Sequence, residues 1–202
     1  MSGKSHRVWL IATMMAAGVV QANANTIILD PSFESGTPGS YTGAMGDGWI
    51  VTAGTGAICN NSGAGCGSAG VAHTGTQMAF LDWSNTFNTI TQTLTTVVGQ
   101  TYAISYFVAG TQPNLLEVTF GSSTLFNGVA PTNGVGSPGD YVQYNFSSTA
   151  TSTSTVLAFS GQRTVGGEVL VDDVSVTATP EPSALAVTGL GLAALVLRRA
   201  VR

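Results

Sequence analysis

Two runs of alternating apolar and polar residues, separated by a glycine, constrain the fold of this chain more than any other feature. They lie in "QTLTTVVGQTYAISYFVAG", from Gln92 to Gly110, on either side of "VVGQ". A period of two places successive side chains on opposite faces of an extended chain. The segment therefore predicts two β-strands joined by a turn at Gly99.

Similar short runs predict further strands at residues 25–29, 76–83, 115–120, 141–148, 154–161 and 168–178. Gly and Ser clusters separate these runs, no helical period competes with them, and β-branched residues are abundant. Residues 31–75 are expected to be rich in loops. The favoured fold is all-β: a sandwich of two antiparallel sheets over residues 25–178, flanked by an N-terminal signal-peptide helix and a short C-terminal hydrophobic helix.

The first 24 residues have the three parts of a secretory signal peptide in order. Lys4 and Arg7 form a basic start, residues 8–20 form an apolar stretch, and Ala22 and Ala24 fit the small-residue cleavage rule. The sequence therefore predicts export by Sec-type machinery and a mature chain that begins near residue 25. A buried N-terminal helix is the alternative.

Residues 179–202 have the features of a short membrane segment. Residues 183–197 carry no charge and would span about 22 Å as a helix, less than the roughly 30 Å of a bilayer's hydrocarbon core. Arg198 and Arg199 follow directly and would hold that end on the cytoplasmic side. The segment predicts a pause in the inner membrane during export.

Together with Pro180, Glu181 and Pro182, this tail resembles the PEP-CTERM sorting signal of Gram-negative bacteria. The resemblance implies recognition by an exosortase, which removes the tail and delivers the protein to the cell surface or to an exopolysaccharide matrix. A membrane anchor that is never cleaved is the alternative.

The charge of the chain argues against nucleic acid as a partner, and the chain has few basic or histidine side chains that could take part in catalysis. Arg163 is the one basic residue between the two ends, against nine acidic residues from Asp30 to Asp173. This balance opposes a phosphate backbone and argues against nucleic acid. After processing, His73 is the one histidine, and a turn histidine is preferred over a Ser-His-Asp triad.

A second resemblance covers nearly all of residues 25–178. It rests on "DPSFESG" from Asp30, "DGWIV" from Asp47, "HTGTQMAFLDW" from His73, the Gln92–Gly110 segment and "VLVDDVSVT" from Val169. These motifs resemble the galactose-binding-like jelly roll of carbohydrate-binding modules attached to xylanases. The resemblance implies a non-catalytic domain, often with a structural calcium ion and sometimes with bound sugar.

The function predicted from the sequence is that of an exported, non-catalytic surface or matrix protein, with extracellular polysaccharide as a candidate partner. A structural surface protein that contacts other proteins, or a weak hydrolase, stays open. Sugar rings stack on exposed aromatic side chains, for which Trp83 and Tyr41 are the candidates. Trp49 is expected in the core.

Cys59 and Cys66 are the two cysteines of the chain and are predicted to form a disulfide. An exported chain meets oxidising conditions, and the short, mostly small segment between them allows the loop to close. Free thiols are the alternative.

The last predicted strand contains a conflict. A strict period of two places Leu170, Asp172, Val174 and Val176 on one face, so that a carboxylate points the same way as three apolar side chains. A bare buried carboxylate is costly. Either Asp172 lies hydrated at a strand end, or it has a partner.

Calcium is the partner predicted for Asp172, because it accepts carboxylate and carbonyl oxygens. Glu34 matches the N-terminal calcium glutamate that the resemblance implies, and the first and last strands of a jelly roll run close together. Glu34 and Asp172 are therefore the predicted ligands, with Asp173 and Asp82 less favoured.

Overall fold

The computed structural model describes residues 26–65, 70–81 and 84–180, and these residues form eleven β-strands and one short 3-10 helix at Pro138–Asp140. The strands are β1 (Gly39–Tyr41), β2 (Ile50–Ala53), β3 (Gly56–Asn60), β4 (Gln77–Phe80), β5 (Asn88–Thr95), β6 (Thr101–Gly110), β7 (Leu115–Phe120), β8 (Ser123–Val129), β9 (Val142–Thr149), β10 (Ser154–Gln162) and β11 (Val169–Ala178).

The strands form two sheets, and every strand pairing among them is antiparallel. The six-stranded sheet has the order β1-β3-β4-β11-β6-β9, and the five-stranded sheet has the order β2-β5-β10-β7-β8. Two antiparallel sheets packed face to face are a sandwich. The prediction of an all-β jelly roll is confirmed.

Strands β5 and β6 are the two strands predicted from the alternating pattern. Buried positions recur at every second residue along most of both strands. Gly99 lies in the turn between them with a φ of 83°, a conformation that favours glycine. The two strands do not pair with each other, because the turn carries the chain from the five-stranded sheet to the six-stranded sheet.

The main core lies between the two sheets, and Trp49 is one of its largest side chains. Trp49 is 1% exposed, and its ring packs between Phe33 and Phe159 at centroid distances of 5.1 and 6.0 Å. Its indole Nε1 donates to the carbonyl oxygen of Asp30 at 3.0 Å, so its polar group is satisfied. The prediction that Trp49 is a core residue is confirmed.

A second apolar cluster covers part of the outer face of the six-stranded sheet. Val71 N donates to Val135 O at 2.8 Å and joins the two loops that lie over this face. The cluster consists of Ala57, Cys59, Ala72, Met78, Phe80, Ala109, Val135, Tyr141 and Leu170, with Phe107 packed against it. Strands β3, β4, β6 and β11, which contribute residues to both clusters, are therefore buried on both faces where the outer cluster covers them.

The structure differs from the predicted strands at several places. Residues 31–75 contain β1, β2 and β3, and β8 was not predicted either. These strands are short or lack the alternating pattern; the burial of β3, for example, is nearly continuous. The strand predicted at 25–29 is wrong for the described residues 26–29, where Ile27 N donates to Val176 O at 2.8 Å without forming a regular strand.

The predicted signal peptide lies outside the described residues, as does the tail from Glu181 onward. Within the described part of the chain, no helix is long and apolar enough to cross a membrane.

Candidate functional site

The site is built on a β-bulge in β11. Asp172 lies opposite Phe107 of β6, whereas Ser175 lies opposite Ser105, so β11 has one residue more than its partner. Asp173 has a φ of 47°, which Asp tolerates better than most residues. Beyond the bulge, the residues that point to a given face of the sheet are displaced by one position along β11.

The predicted face of β11 is therefore wrong. Val171, Val174 and Val176 face the main core, whereas Leu170 belongs to the outer cluster. Asp172 does not share a face with Val174 and Val176, because the extra residue of the bulge separates them. The carboxylates of the neighbouring residues Asp172 and Asp173 both contact the loop that begins at His73.

Asp172 is fully buried and holds the main chain of that loop. Its carboxylate accepts hydrogen bonds from the backbone amides of His73, Thr74 and Asp173, at 2.8, 3.1 and 2.7 Å. Burial and the nearby charge of Asp173 raise the pKa of Asp172 to about 8, although the three amide hydrogen bonds oppose that shift. The alternative of a hydrated Asp172 at a strand end is excluded.

Asp173 holds the side chains of the same loop. Its carboxylate accepts hydrogen bonds from Ser32 Oγ at 2.5 Å and Thr74 Oγ1 at 2.6 Å, and it pairs with His73 Nδ1 at 2.5 Å. Burial favours a higher pKa for Asp173, but the hydrogen bonds from His73, Ser32 and Thr74 outweigh it and lower that pKa. We call Ser32, His73, Thr74, Asp172 and Asp173 the His73 cluster.

The His73 ring lies on an aromatic surface. It stacks on Phe107 with a centroid distance of 3.7 Å and an interplanar angle of 18°, and it contacts Tyr141 at 5.5 Å. The Tyr141 hydroxyl is buried without a hydrogen-bond partner among the described residues. Burial, followed by the charges of Asp172, Asp173 and Asp140, raises the pKa of Tyr141.

This geometry differs from a hydrolytic triad. Ser32 and Thr74 donate to Asp173, and the described hydrogen bonds of the His73 ring involve Nδ1 and Asp173 alone. A nucleophilic hydroxyl would have to reach the other ring nitrogen. The part of the chain that the structure describes therefore contains no Ser-His-Asp triad.

Glu34 fixes the far end of the same loop. Its carboxylate accepts from the backbone amides of Thr76 and Gln77, both at 2.7 Å, and from Thr76 Oγ1 at 2.9 Å. Glu34 and Asp172 thus hold two adjacent stretches of one loop, 73–74 and 76–77.

Both predicted calcium ligands make hydrogen bonds within the protein. Glu34 and Asp172 accept three hydrogen bonds each. A calcium ion would need about six to eight oxygen ligands. Among residues 26–65, 70–81 and 84–180, no three His, Cys, Asp or Glu side chains are grouped to hold a metal ion. Calcium at Glu34 and Asp172 stays a prediction.

The remaining predicted residues lie apart from this cluster or outside the description. Tyr41 is half-buried in β1, and its hydroxyl donates to the carbonyl oxygen of Thr37. Trp83, Asp82 and Cys66 lie outside the described residues, so Trp83 as a sugar contact and the Cys59–Cys66 bridge stay predictions.

A polar, uncharged surface extends from the His73–Phe107 stack along the outer side of the six-stranded sheet. Its middle row places Ser175, Ser105 and Asn145 side by side across β11, β6 and β9, and Phe107 lies opposite Gln143. We call this surface the β6–β9 face, made of Ala103, Ser105, Phe107, Gln143, Asn145, Ser147, Ser175 and Thr177.

Sequence reasoning missed the His73 cluster, although a signal for it was present. In "VLVDDVSVT" the core-facing valines are Val171, Val174 and Val176, a spacing of three and then two. One extra residue in an alternating pattern is the sign of a bulge, and Asp173 is a residue type that accepts the required backbone conformation.

Comparisons with known proteins show the fold. No protein-family model and no curated protein matches this sequence. Among solved structures, the chain is similar to TmCBM61 in complex with β-1,4-galactotriose, with a TM-score of 0.54 and 12% identity over 77% of this chain and 100% of that one. It is also similar to the CBM22-1 xylan-binding domain from Paenibacillus barcinonensis Xyn10C, with a TM-score of 0.53 and 18% identity over 79% of this chain and 99% of that one.

Proposed function

We propose that this domain binds carbohydrate without catalysis, and that the β6–β9 face is the binding surface. The observation that carries the proposal is the combination on one face of a stacked ring pair with a row of hydroxyl and amide side chains. The fold supports it, since the similar structures include a module bound to a galactotriose and a xylan-binding domain.

The chemistry of the β6–β9 face suits a neutral sugar. Sugars present hydroxyl groups that donate and accept hydrogen bonds, which Ser and Asn side chains can match, and they present C–H faces that pack on aromatic rings. His73 is 23% exposed in its side chain, so the stack on Phe107 keeps an accessible edge. The eight residues that make up the β6–β9 face carry no charge, which disfavours a charged ligand, and the neighbouring Asp173 carboxylate is paired with His73.

The absence of paired carboxylates on this face supports a non-catalytic role. Glycoside hydrolysis uses two carboxyl groups, about 5 to 9.5 Å apart, on either side of the bond that is cleaved. Asp172 and Asp173 instead direct their oxygens toward the loop from His73 to Thr74.

We also propose that the protein acts outside the inner membrane, at the cell surface or in an exopolysaccharide matrix. This rests on the signal peptide and on the PEP-CTERM-like tail, with exosortase as the processing partner. The intact mass of the surface form tests it. A form that keeps residues 183–202 in cells with active exosortase would contradict cleavage of the tail.

A glycan array probed with the full-length chain tests carbohydrate binding, with neutral galactans and xylans included. Ser105→Ala and His73→Ala should each weaken binding, because the first removes a hydroxyl from the β6–β9 face and the second removes the ring that stacks on Phe107 of that face. Thr93→Ala is the matched control, since Thr93 is exposed on β5 in the other sheet. Binding that all three variants retain would show that sugar binds elsewhere, and an array without signal would contradict the proposal.

Calcium stays a separate proposal with its own test. An ion that binds only the folded state raises stability by roughly 2.7 kcal/mol at a hundred times its dissociation constant. Thermal melts with calcium and with chelator would measure this effect. An unchanged midpoint, or an Asp172→Ala variant that keeps the full calcium response, would contradict a calcium ion at Glu34 and Asp172.

A further inference from the structure

The two sheets end in four edge strands: β1 and β9 in the six-stranded sheet, and β2 and β8 in the five-stranded sheet. An edge strand exposes main-chain donors and acceptors that can pair with another chain. Proteins usually prevent this with short strands, bulges, prolines or charges.

Three of these edges carry such a device. Strand β1 has three residues. Strand β2 has four residues and a register shift between Val51 and Ala53. Strand β8 has a bulge of one residue opposite β7, because Val118 pairs with Phe126 while Thr119 pairs with Thr124.

Strand β9 has none of these devices. It runs for eight residues, "VQYNFSST", without proline or charge. Its register with β6 is continuous from Val142 opposite Val108 to Thr149 opposite Thr101. Among the described residues, its main chain has no hydrogen-bond partner besides β6.

The core-facing side of β9 is an aromatic row that reaches the edge. Tyr106 of β6 stacks with Tyr144 and Phe146 at 5.5 and 5.9 Å, and these two lie 6.4 Å apart with nearly parallel rings. Tyr144 and Phe146 are half-buried, so the row is incompletely covered on its outer side. Another strand at this edge would cover it with further side chains.

We propose that β9 pairs antiparallel with β9 of a second copy of this chain, which joins two six-stranded sheets into one. A second copy fits because the edge is uncharged and therefore meets no like-charge repulsion when it pairs with itself. Directly opposite residues in an antiparallel pair lie on the same face. A two-fold axis at Asn145 satisfies this rule and places Tyr144 opposite Phe146 of the second copy.

The oligomeric state of the full-length chain over a range of concentrations tests the proposal. Asn145→Lys places two ammonium groups next to the two-fold axis and should weaken dimerisation roughly tenfold or more. Thr93→Lys, at an exposed position on β5, should leave the dimer unchanged. A chain that stays monomeric at high concentration, or a dimer that both variants affect equally, would overturn the proposal.

Cross-linking gives a second readout that does not depend on how Asn145→Lys folds. Directly opposite Cβ atoms lie about 4.5 to 5.5 Å apart, close enough for an Asn145→Cys variant to be joined to its second copy by a short bifunctional thiol reagent. We expect a covalent dimer for Asn145→Cys and none for Thr93→Cys. Equal yields, or no dimer at position 145, would place any association at another surface, such as the tail.

Discussion

His73 Nδ1 and the Asp173 carboxylate lie 2.5 Å apart, although 100 residues separate them in the sequence. Asp173 can make this contact because its backbone has a φ of 47° within the bulge of β11. The pair joins the last strand to the loop before β4, and it lies on the ring of Phe107. The irregular residue Asp173 thus helps Asp172 and Glu34 to position the loop that borders the β6–β9 face.

Asp173 should contribute to stability through both its backbone conformation and its side chain. Asp173→Gly keeps the bulge but loses the hydrogen bonds to Ser32, His73 and Thr74, and we expect a loss of about 2 to 3 kcal/mol. Asp173→Val should be less stable than Asp173→Gly by about 1 kcal/mol or more, since a β-branched residue is strained at positive φ. Urea unfolding of the two variants measures the difference; equal stabilities would mean that the bulge does not persist in solution.

Gly75 should be more sensitive to a methyl group than Gly99. Both have positive φ, 64° and 83°, so both alanine variants carry a backbone cost of about 1 kcal/mol. A Cβ at Gly75 would lie 2.4 Å from Glu34 Oε1, whereas a Cβ at Gly99 meets nothing within 4 Å. We expect Gly75→Ala to lose about 1 to 3 kcal/mol more, because Glu34 must leave the amides of Thr76 and Gln77.

The midpoints of thermal melts, measured for both alanine variants beside the parent chain, check this prediction. If Gly75→Ala and Gly99→Ala melt together, the Glu34 clamp does not stabilise the loop.

The alternating pattern predicted most long strands because it is local. Strands β6, β7, β9, β10 and β11 lie close to their predicted ranges, and β4 lies within its predicted range of 76–83. Strand β5 begins at Asn88, four residues before the predicted segment. Strands β1, β2 and β3 were missed because strands of three to five residues contain too few alternations, and their pairings depend on distant segments.

The candidate site was only partly predictable for a related reason. The burial of Asp172 follows from its apolar neighbours in the sequence, but its partners do not: they are amides of His73 and Thr74, almost 100 residues away. A bulge changes which residues share a face, so a strict period of two gave Asp172 the wrong neighbours.

The disulfide between Cys59 and Cys66 is a prediction from the sequence. We expect no reactive thiol in the denatured, unreduced chain, and we expect reduction to lower stability by roughly 2 to 3 kcal/mol, less any strain. Cys59 is fully buried in the outer cluster, so a double Ala variant should be compared with the reduced parent chain to separate packing from the bridge. Two reactive thiols per unreduced chain would contradict the prediction.

Asp172 should make stability depend on pH in a direction opposite to that of most carboxylates. Its pKa is raised to about 8 in the folded chain, from the ordinary value of 3.8. The folded state therefore binds a proton that the unfolded state releases at these pH values, and the contribution of Asp172 to stability falls as pH rises from about 4 through 8.

Asp172→Asn removes this titration while keeping the size of the side chain. The amide nitrogen of Asn cannot accept a hydrogen bond, so at least one of the amides of His73, Thr74 and Asp173 loses its partner, and we expect a cost of about 1 to 3 kcal/mol at pH 5. That cost should shrink as pH approaches 9, because only the parent chain then has to bury a charge. Urea unfolding of both chains at pH 5, 7 and 9 measures the difference. A stability difference that stays constant from pH 5 to 9 would show that Asp172 is ionised throughout that range.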